Sequence, residues 1–165
     1  MIHAFRLAFT ESVTTAFRPR GAAGRWNSEG VIVVYTAEHP ALAALELLAA
    51  WDAYEDFSRY RLFRCDIHEE AVRDAVPELL AELVDVRDAQ ATRTIGDAWA
   101  RSRTSVALRV PSVVSSASYN VLVNPDHPDF DDAVERTPLG PFRYDVRLVE
   151  LLRRAKANDA NAGRA

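Results

Sequence analysis

The sequence predicts a single α+β domain with a mixed sheet and flanking helices. Three observations carry this expectation. Strand-like and helix-like segments share the chain, but the helical ones are grouped instead of separating every pair of strands, which argues against strict βαβ winding. The 165 residues suit one domain and are too few for two full ones. With 48% apolar and 27% charged residues, the composition is that of a globular chain long enough to bury a core without staples.

The elements follow in order. Ile2–Phe9 reads as a first strand, an apolar run interrupted by Arg6. Residues 11–27 contain Pro19, Gly21 and Gly24 and few apolar side chains, so they read as a long loop. Val31–Tyr35 is β-branched and apolar, a buried strand. Pro40–Asp52 is helical: Pro40 suits a first turn, and Ala41-Leu42-Ala43-Ala44-Leu45 is strongly helix-forming. Arg59–Ile67 alternates as a strand. Glu69–Val76 and Pro77–Val84 read as short helices broken at Pro77. Asp88–Arg101 is a helix with Ile95, Ala98 and Trp99 on one face. Ser105–Val110 is a strand stopped by Pro111, and Asn120–Val123 one stopped by Asn124-Pro125. Phe142–Leu148 alternates and reads as the last strand, and Val149–Arg154 as a closing helical turn. That gives about six strands in all. Residues 155–165 are small and polar, a C-terminal tail on a domain of residues 1–154.

Several function classes are disfavoured. Cys65 is the single cysteine, which leaves no disulfide framework and no multi-cysteine zinc module. The four histidines are scattered, without the helical spacing of a metal site. There is no Walker A loop and no G-x-G-x-x-G. No apolar run is long enough to span a membrane and the N-terminus has no signal-peptide core, so the reading is a soluble, cytoplasmic protein. A net charge of −4 makes nucleic acid a poor default partner. Of the 20 basic residues only Lys156 is lysine; the arginine excess reads mainly as codon bias, with a few arginines free to hold anions.

Four features could carry chemistry. Glu46 sits in a helix that is apolar nearly all round, where a carboxylate is costly unless paired. It is either one solvent-facing position or a catalytic carboxylate with a partner arginine. Gly24-Arg25-Trp26-Asn27 lies on the loop before a strand; Arg25 could fork onto a phosphate, or the segment is a turn that tucks Trp26 into the core. Tyr35 ends a buried strand, available for stacking on a planar ring, for donating its hydroxyl or for core packing. Ser112 follows Val110-Pro111 outside any nucleophile elbow; it reads as a hydrogen-bonding or turn serine.

Taken in order, the pieces resemble the RES-domain family. They are Arg6 on the first strand, Gly24-Arg25-Trp26-Asn27, Val33-Val34-Tyr35-Thr36-Ala37 and Leu42-Ala43-Ala44-Leu45-Glu46. Ile95-Gly96-Asp97-Ala98-Trp99, Val110-Pro111-Ser112, Asn120-Val121-Leu122-Val123-Asn124-Pro125-Asp126-His127-Pro128 and Asp145-Val146-Arg147-Leu148 follow. The resemblance spans about Phe5 to Leu148. It implies an ADP-ribosyltransferase-like fold with a split, mixed β-sheet around an NAD cleft. It also implies a toxin of a type II toxin–antitoxin pair that consumes NAD+ by phosphorolysis or hydrolysis of the nicotinamide–ribose bond. Carried over by motif, Arg25 and Glu46 are the catalytic residues, and Tyr35 and Ser112 bind substrate, with Arg6 as a second pocket arginine. No permanently bound cofactor and no metal are implied; NAD+ is the substrate, and inorganic phosphate the co-substrate of the phosphorolytic version. The implied partner is an Xre-like antitoxin that caps the active site, with room for a homodimer within a hetero-oligomeric complex. One departure is visible: many members carry a histidine soon after the helix glutamate, where this chain reads Leu47-Leu48-Ala49-Ala50-Trp51. Two alternatives stand beside this reading. One is transfer of ADP-ribose to a protein target; the other is a nucleic-acid-acting toxin or binding module, supported only by the arginine excess.

Overall fold

The computed structural model describes residues 1–50, 59–151 and 154. Trp51 and Asp52, the end of the expected first helix, lie outside the described residues, as do Leu152, Arg153 and the expected tail at 155–165.

The described residues form a seven-stranded sheet: β1 (Ile2–Ala8), β2 (Val34–Ala37), β3 (Arg61–Ile67), β4 (Val72–Asp74), β5 (Ala107–Pro111), β6 (Tyr119–Val123) and β7 (Val134–Pro141). The strand order is β4-β5-β6-β2-β1-β3-β7. Only β4 and β5 run parallel; the other neighbours are antiparallel. The helices are α1 (Val13–Ala16), α2 (Pro40–Ala49), α3 (Val76–Ala81), α4 (Ala89–Ser102) and α5 (Phe130–Ala133). This is the mixed α+β class read from the sequence.

The sheet is split in the middle. β1 pairs with β3 from Ile2↔Ile67 through Ala8↔Arg61, and β2 pairs with β6 from Val34↔Val123 through Ala37↔Asn120. Between β1 and β2 the register contains a single pair, Phe5↔Ala37. Strands that diverge after one rung leave main-chain groups without ladder partners and a cleft between them. Apolar clusters hold the two halves together. The alternation of β6 sends Val121 and Val123 into a cluster with Phe17, Phe63 and Phe130, and Leu122 into another with Trp26, Trp99 and Leu108. A third cluster, with Leu7, Ala37, Leu42 and Tyr60, seats α2 over the split.

α2 begins with Pro40 in its first turn and buries Leu42, Ala43, Ala44 and Leu48, while Leu45 is exposed. The helix is therefore not buried on several faces, as its composition suggests. Glu46 is one turn beyond Leu42 and Ala43, so it sits at the edge of the buried stripe. In α4, capped by the Asp88 side chain on Gln90 and Ala91, the buried positions are Thr92, Gly96, Asp97, Trp99 and Ala100. Ala98, expected on that face, is exposed.

Other expectations are corrected. The stretch 69–76 is not a helix: a 3-10 turn at Glu69–Ala71 leads into β4, which pairs with Ala107–Arg109 and is tied there by the Arg109–Asp74 ion pair at 2.8 Å. Tertiary pairing overrides local helix propensity. The second strand begins three residues later than expected because the Val31 carbonyl accepts from Asn27 Nδ2 instead of a neighbouring strand. The long loop at 11–27 contains the single turn α1, capped by Ser12. The last strand is β7, not Phe142–Leu148. Phe142 and Tyr144 alternate because their rings pack edge to face, 5.0 Å apart, in the α2 cluster. Asp145 then caps the following backbone, accepting from Arg147 N, and residues 146–151 are helical. β7 hides from a strand search because Pro138 and Pro141 interrupt it; prolines are tolerated there because β7 is an edge.

Candidate active site

The loop before β2 is built by α4. Arg93 Nε donates to the Gly24 carbonyl at 2.8 Å, Thr92 Oγ1 to the Arg25 carbonyl at 2.7 Å, and Ser28 N to Asp97 Oδ1 at 2.8 Å. Gly96 permits this approach, since a Cβ there would lie 1.8 Å from the Trp26 carbonyl oxygen. Trp26 points into the core at 2% exposure, while Arg25 lines the cleft with Nη1 donating to the Arg87 carbonyl at 2.7 Å. The tetrapeptide therefore tucks Trp26 into the core and places Arg25 on the cleft.

Tyr35 joins this loop to the sheet. Its hydroxyl donates to Asn27 Oδ1 at 2.7 Å and accepts from Trp26 N at 2.8 Å, while Asn27 Nδ2 donates to the carbonyls of Ala22, Ser28 and Val31. Gly24 is required beside it, because a Cβ would sit 2.4 Å from the Tyr35 oxygen. With the hydroxyl committed, the ring is what Tyr35 offers the cleft. Tyr35→Phe keeps that ring but strands the buried Asn27 Oδ1, an expected loss of about 1–3 kcal/mol in urea unfolding. Burial pushes the Tyr35 hydroxyl up to about 12, with the bond from Trp26 N opposing. The folded value lies above the unfolded one, so this contribution is complete below about pH 10 and is lost as pH rises towards 12. The stability gap between wild type and Y35F should therefore stay constant up to about pH 10 and narrow between about pH 10 and pH 12.

Glu46 has neutral partners, not the arginine expected. Its Oε1 accepts from Ser112 Oγ at 2.7 Å and from Asn120 Nδ2 at 2.6 Å. Ser112 is itself fixed: its Oγ accepts from the backbone N–H groups of Val114 and Ser115, both at 3.1 Å, so its proton points to Glu46. The turn serine and the site serine are one residue in two roles.

Arg6 lies at the split. Nη1 donates to the Tyr35 carbonyl at 2.9 Å across the gap where ladder bonds are missing, and Nε is buried without an acceptor among the described residues. Burial pulls its guanidinium down to about 10, slightly offset by Cys65, so it remains charged at neutral pH. Among the described residues no carboxylate pairs with Arg6 or Arg25. A desolvated cation facing a cleft without a counter-ion is half of an anion site.

Arg6, Arg25, Tyr35 and Glu46 thus line one cavity of about 620 Å³, and Ser112 stands behind Glu46. Asn120, which also lines it, is not singled out by the sequence reading. The available signal was a polar side chain opening the apolar run Asn120–Val123: a buried amide needs a partner, and here the partner is Glu46. The cavity can hold an extended, anionic ligand with a planar ring, with a fixed carboxylate beside it.

Comparisons with known proteins give the family and the fold. A family model described as the RES domain matches residues 3–145. A protein named Toxin Res from Yersinia enterocolitica is 29% identical over 141 residues, covering 85% of this chain and 93% of that protein. A Prs ADP-ribosylating toxin from a Sphingobium strain is 31% identical over 131 residues, covering 76% and 80% respectively. The toxin–antitoxin complex MbcT-MbcA of M. tuberculosis contains a chain that superposes with a TM-score of 0.62 at 19% identity, covering 92% of this chain and 88% of that one, which shows a common fold. With a family model that matches residues 3–145, and relatives alike over most of their length, the protein belongs to the RES-domain family of toxins.

Proposed function

We propose that this chain is the toxin of a toxin–antitoxin pair and that it depletes NAD+ by breaking the nicotinamide–ribose bond. The observation that carries the reading is one cavity with unpaired cations, Arg6 and Arg25, beside an anchored carboxylate, Glu46. The cations suit the pyrophosphate, with guanidinium forks matched to its oxygens. The Tyr35 ring walls the nicotinamide. As the C–N bond breaks, its electron pair leaves with the nicotinamide nitrogen and positive charge develops on the ribose. Glu46 stabilises that charge, and an oxygen of phosphate or water then bonds to the anomeric carbon and gives up its proton to solvent, so that the products are nicotinamide and ADP-ribose-1-phosphate or ADP-ribose. The leaving ring becomes neutral as it departs, so this chemistry needs no strong general acid.

Pure protein incubated with NAD+, with and without inorganic phosphate, tests the reading: unchanged NAD+ in both arms overturns it, and a requirement for phosphate assigns the acceptor. A second reading, ADP-ribose transfer to a protein, is favoured by the name of the Sphingobium relative. Label from NAD+ appearing on a cellular protein would select it. The partner we propose is an Xre-like antitoxin that caps this cavity; that MbcT is a toxin in complex with an antitoxin supports an antitoxin partner as such.

Arg6 gives a further expected result. Arg6→Met removes a charge-assisted contact of about 1.5–3 kcal/mol, so NAD+ binding weakens about 10- to 100-fold. The empty protein loses a desolvated, unpaired charge and its melting temperature does not fall. Calorimetric titration and thermal melts read both; unaltered affinity would remove Arg6 from the site.

A further inference from the structure

We infer that Asn120 is a positioning residue for Glu46, and that the β5–β6 hairpin exists in its present form to hold that carboxylate in one rotation. The role rests on the proposed NAD+ reaction, but the contact behind it does not. Asn120 is 9% exposed, on β6, directly across from Val110 and two residues short of the Ser112 rung. The two arms of one hairpin, beside its turn, therefore bring two donors, Ser112 Oγ and Asn120 Nδ2, onto the same oxygen, Glu46 Oε1. Two donors on one oxygen fix the plane of the carboxyl. They leave Oε2 without a protein donor among the described residues and available to the cavity that Glu46 lines.

The other half of the amide shows what the residue is for. Asn120 Oδ1 is sealed from solvent and has no hydrogen-bond partner among the described residues, although an unmade bond on a buried acceptor is destabilising. An asparagine retained for stability would have both ends satisfied. Here one end is left unmade and the other is committed to the carboxylate, the pattern of a side chain whose benefit lies in the site. The NH2 group faces the carboxyl oxygen, the donor-to-acceptor match that this contact requires.

The test uses Asn120→Ala and Asn120→Asp in the full chain. N120A should lower kcat for NAD+ cleavage about 10- to 100-fold, the effect of a mobile reacting group, with KM little changed and no loss of melting temperature. In a Glu46→Gln background the same substitution should have much less effect, because both changes act through one group. N120D places two carboxylates in contact; they cannot both ionise without repulsion, and a shared proton restores the bridge. Its activity should therefore recover as pH is lowered from about 8 to about 5.5, with no such rise in wild type. A purely structural role would give neither the acid rescue nor the dependence on Glu46. In 15N spectra the Asn120 side-chain amide should be downfield and slow to exchange, and E46A should abolish both properties. Full kcat in N120A, or a loss of activity that follows its melting temperature, overturns the proposal. So does an Asn120 amide signal indifferent to E46A. Wild type inert towards NAD+ instead overturns the proposed reaction; the amide signal, together with growth arrest by the N120A chain in place of turnover, then still decides the role of Asn120.

Discussion

Glu46→Gln lowers NAD+ cleavage by about 10²–10³-fold while the protein keeps its fold and melting temperature. The substitution removes one charge and almost nothing else. The glutamine oxygen can still accept from Ser112 and Asn120, which meet at Oε1 in the wild type, and its NH2 group then occupies the position of Oε2. What disappears is the negative charge facing the ribose, which is worth most when the ribose itself becomes cationic. The loss should accordingly fall on kcat, corresponding to about 2.7–4 kcal/mol of transition-state stabilisation, with little change in KM. Glu46→Ala should abolish toxicity in cells by the same route. Quenched-flow or endpoint assay of nicotinamide release measures the first, and a growth assay without antitoxin the second. An E46Q protein with wild-type kcat would take Glu46 out of the chemistry and leave it a structural acceptor for the hairpin.

The sequence revealed the positions of the site better than their partners. Glu46 could be noticed because a lone carboxylate stood in an apolar helix, and Arg25 because it followed a glycine on a loop. What Glu46 bonds to could not be read, since that depends on the strand order β6-β2-β1, which places Asn120 and Ser112 beside a helix more than 60 residues away. No local period encodes that neighbourhood. The same limit explains the fold. α2 and α4 follow from hydrophobic period because each buries one stripe, and β1, β3 and β6 from apolar runs that pack into the clusters on the faces of the sheet. β4 and β7 are sheet edges, stabilised by a single neighbour, and their sequences look helical in one case and broken by proline in the other. Arg6 falls between the two cases. As a charge in the middle of a strand it was visible, yet its purpose appears only with the split, where it spans the gap to the Tyr35 carbonyl.

Gly96→Ala is the substitution outside the cavity with the largest expected effect. Two terms oppose each other. In a helix interior alanine is favoured over glycine by about 1 kcal/mol. Against this, the new Cβ would lie 1.8 Å from the Trp26 carbonyl oxygen and 2.8 Å from its carbon. Backbone atoms cannot turn aside as a flexible side chain does, so α4 and the loop must separate. Separation stretches three bonds together: Arg93 to Gly24, Thr92 to Arg25, and Ser28 to Asp97. Overpacking alone costs about 1–3 kcal/mol, and each buried group left unpaired about 1–3 more. The clash wins, with a net loss of about 3 kcal/mol or more, or a melting temperature lower by about 6–12 °C. Because the displaced loop carries Arg25 and braces Tyr35 through Trp26 and Asn27, NAD+ turnover should fall as well. Ala98→Gly separates the causes: Ala98 is exposed on the same helix, so this change weakens α4 by about 1 kcal/mol without touching the loop. It should lower the melting temperature slightly and leave turnover alone. Thermal melts and NAD+ assays on the two variants decide the matter, and a G96A protein as stable as wild type would mean that α4 does not set the position of the arginine loop.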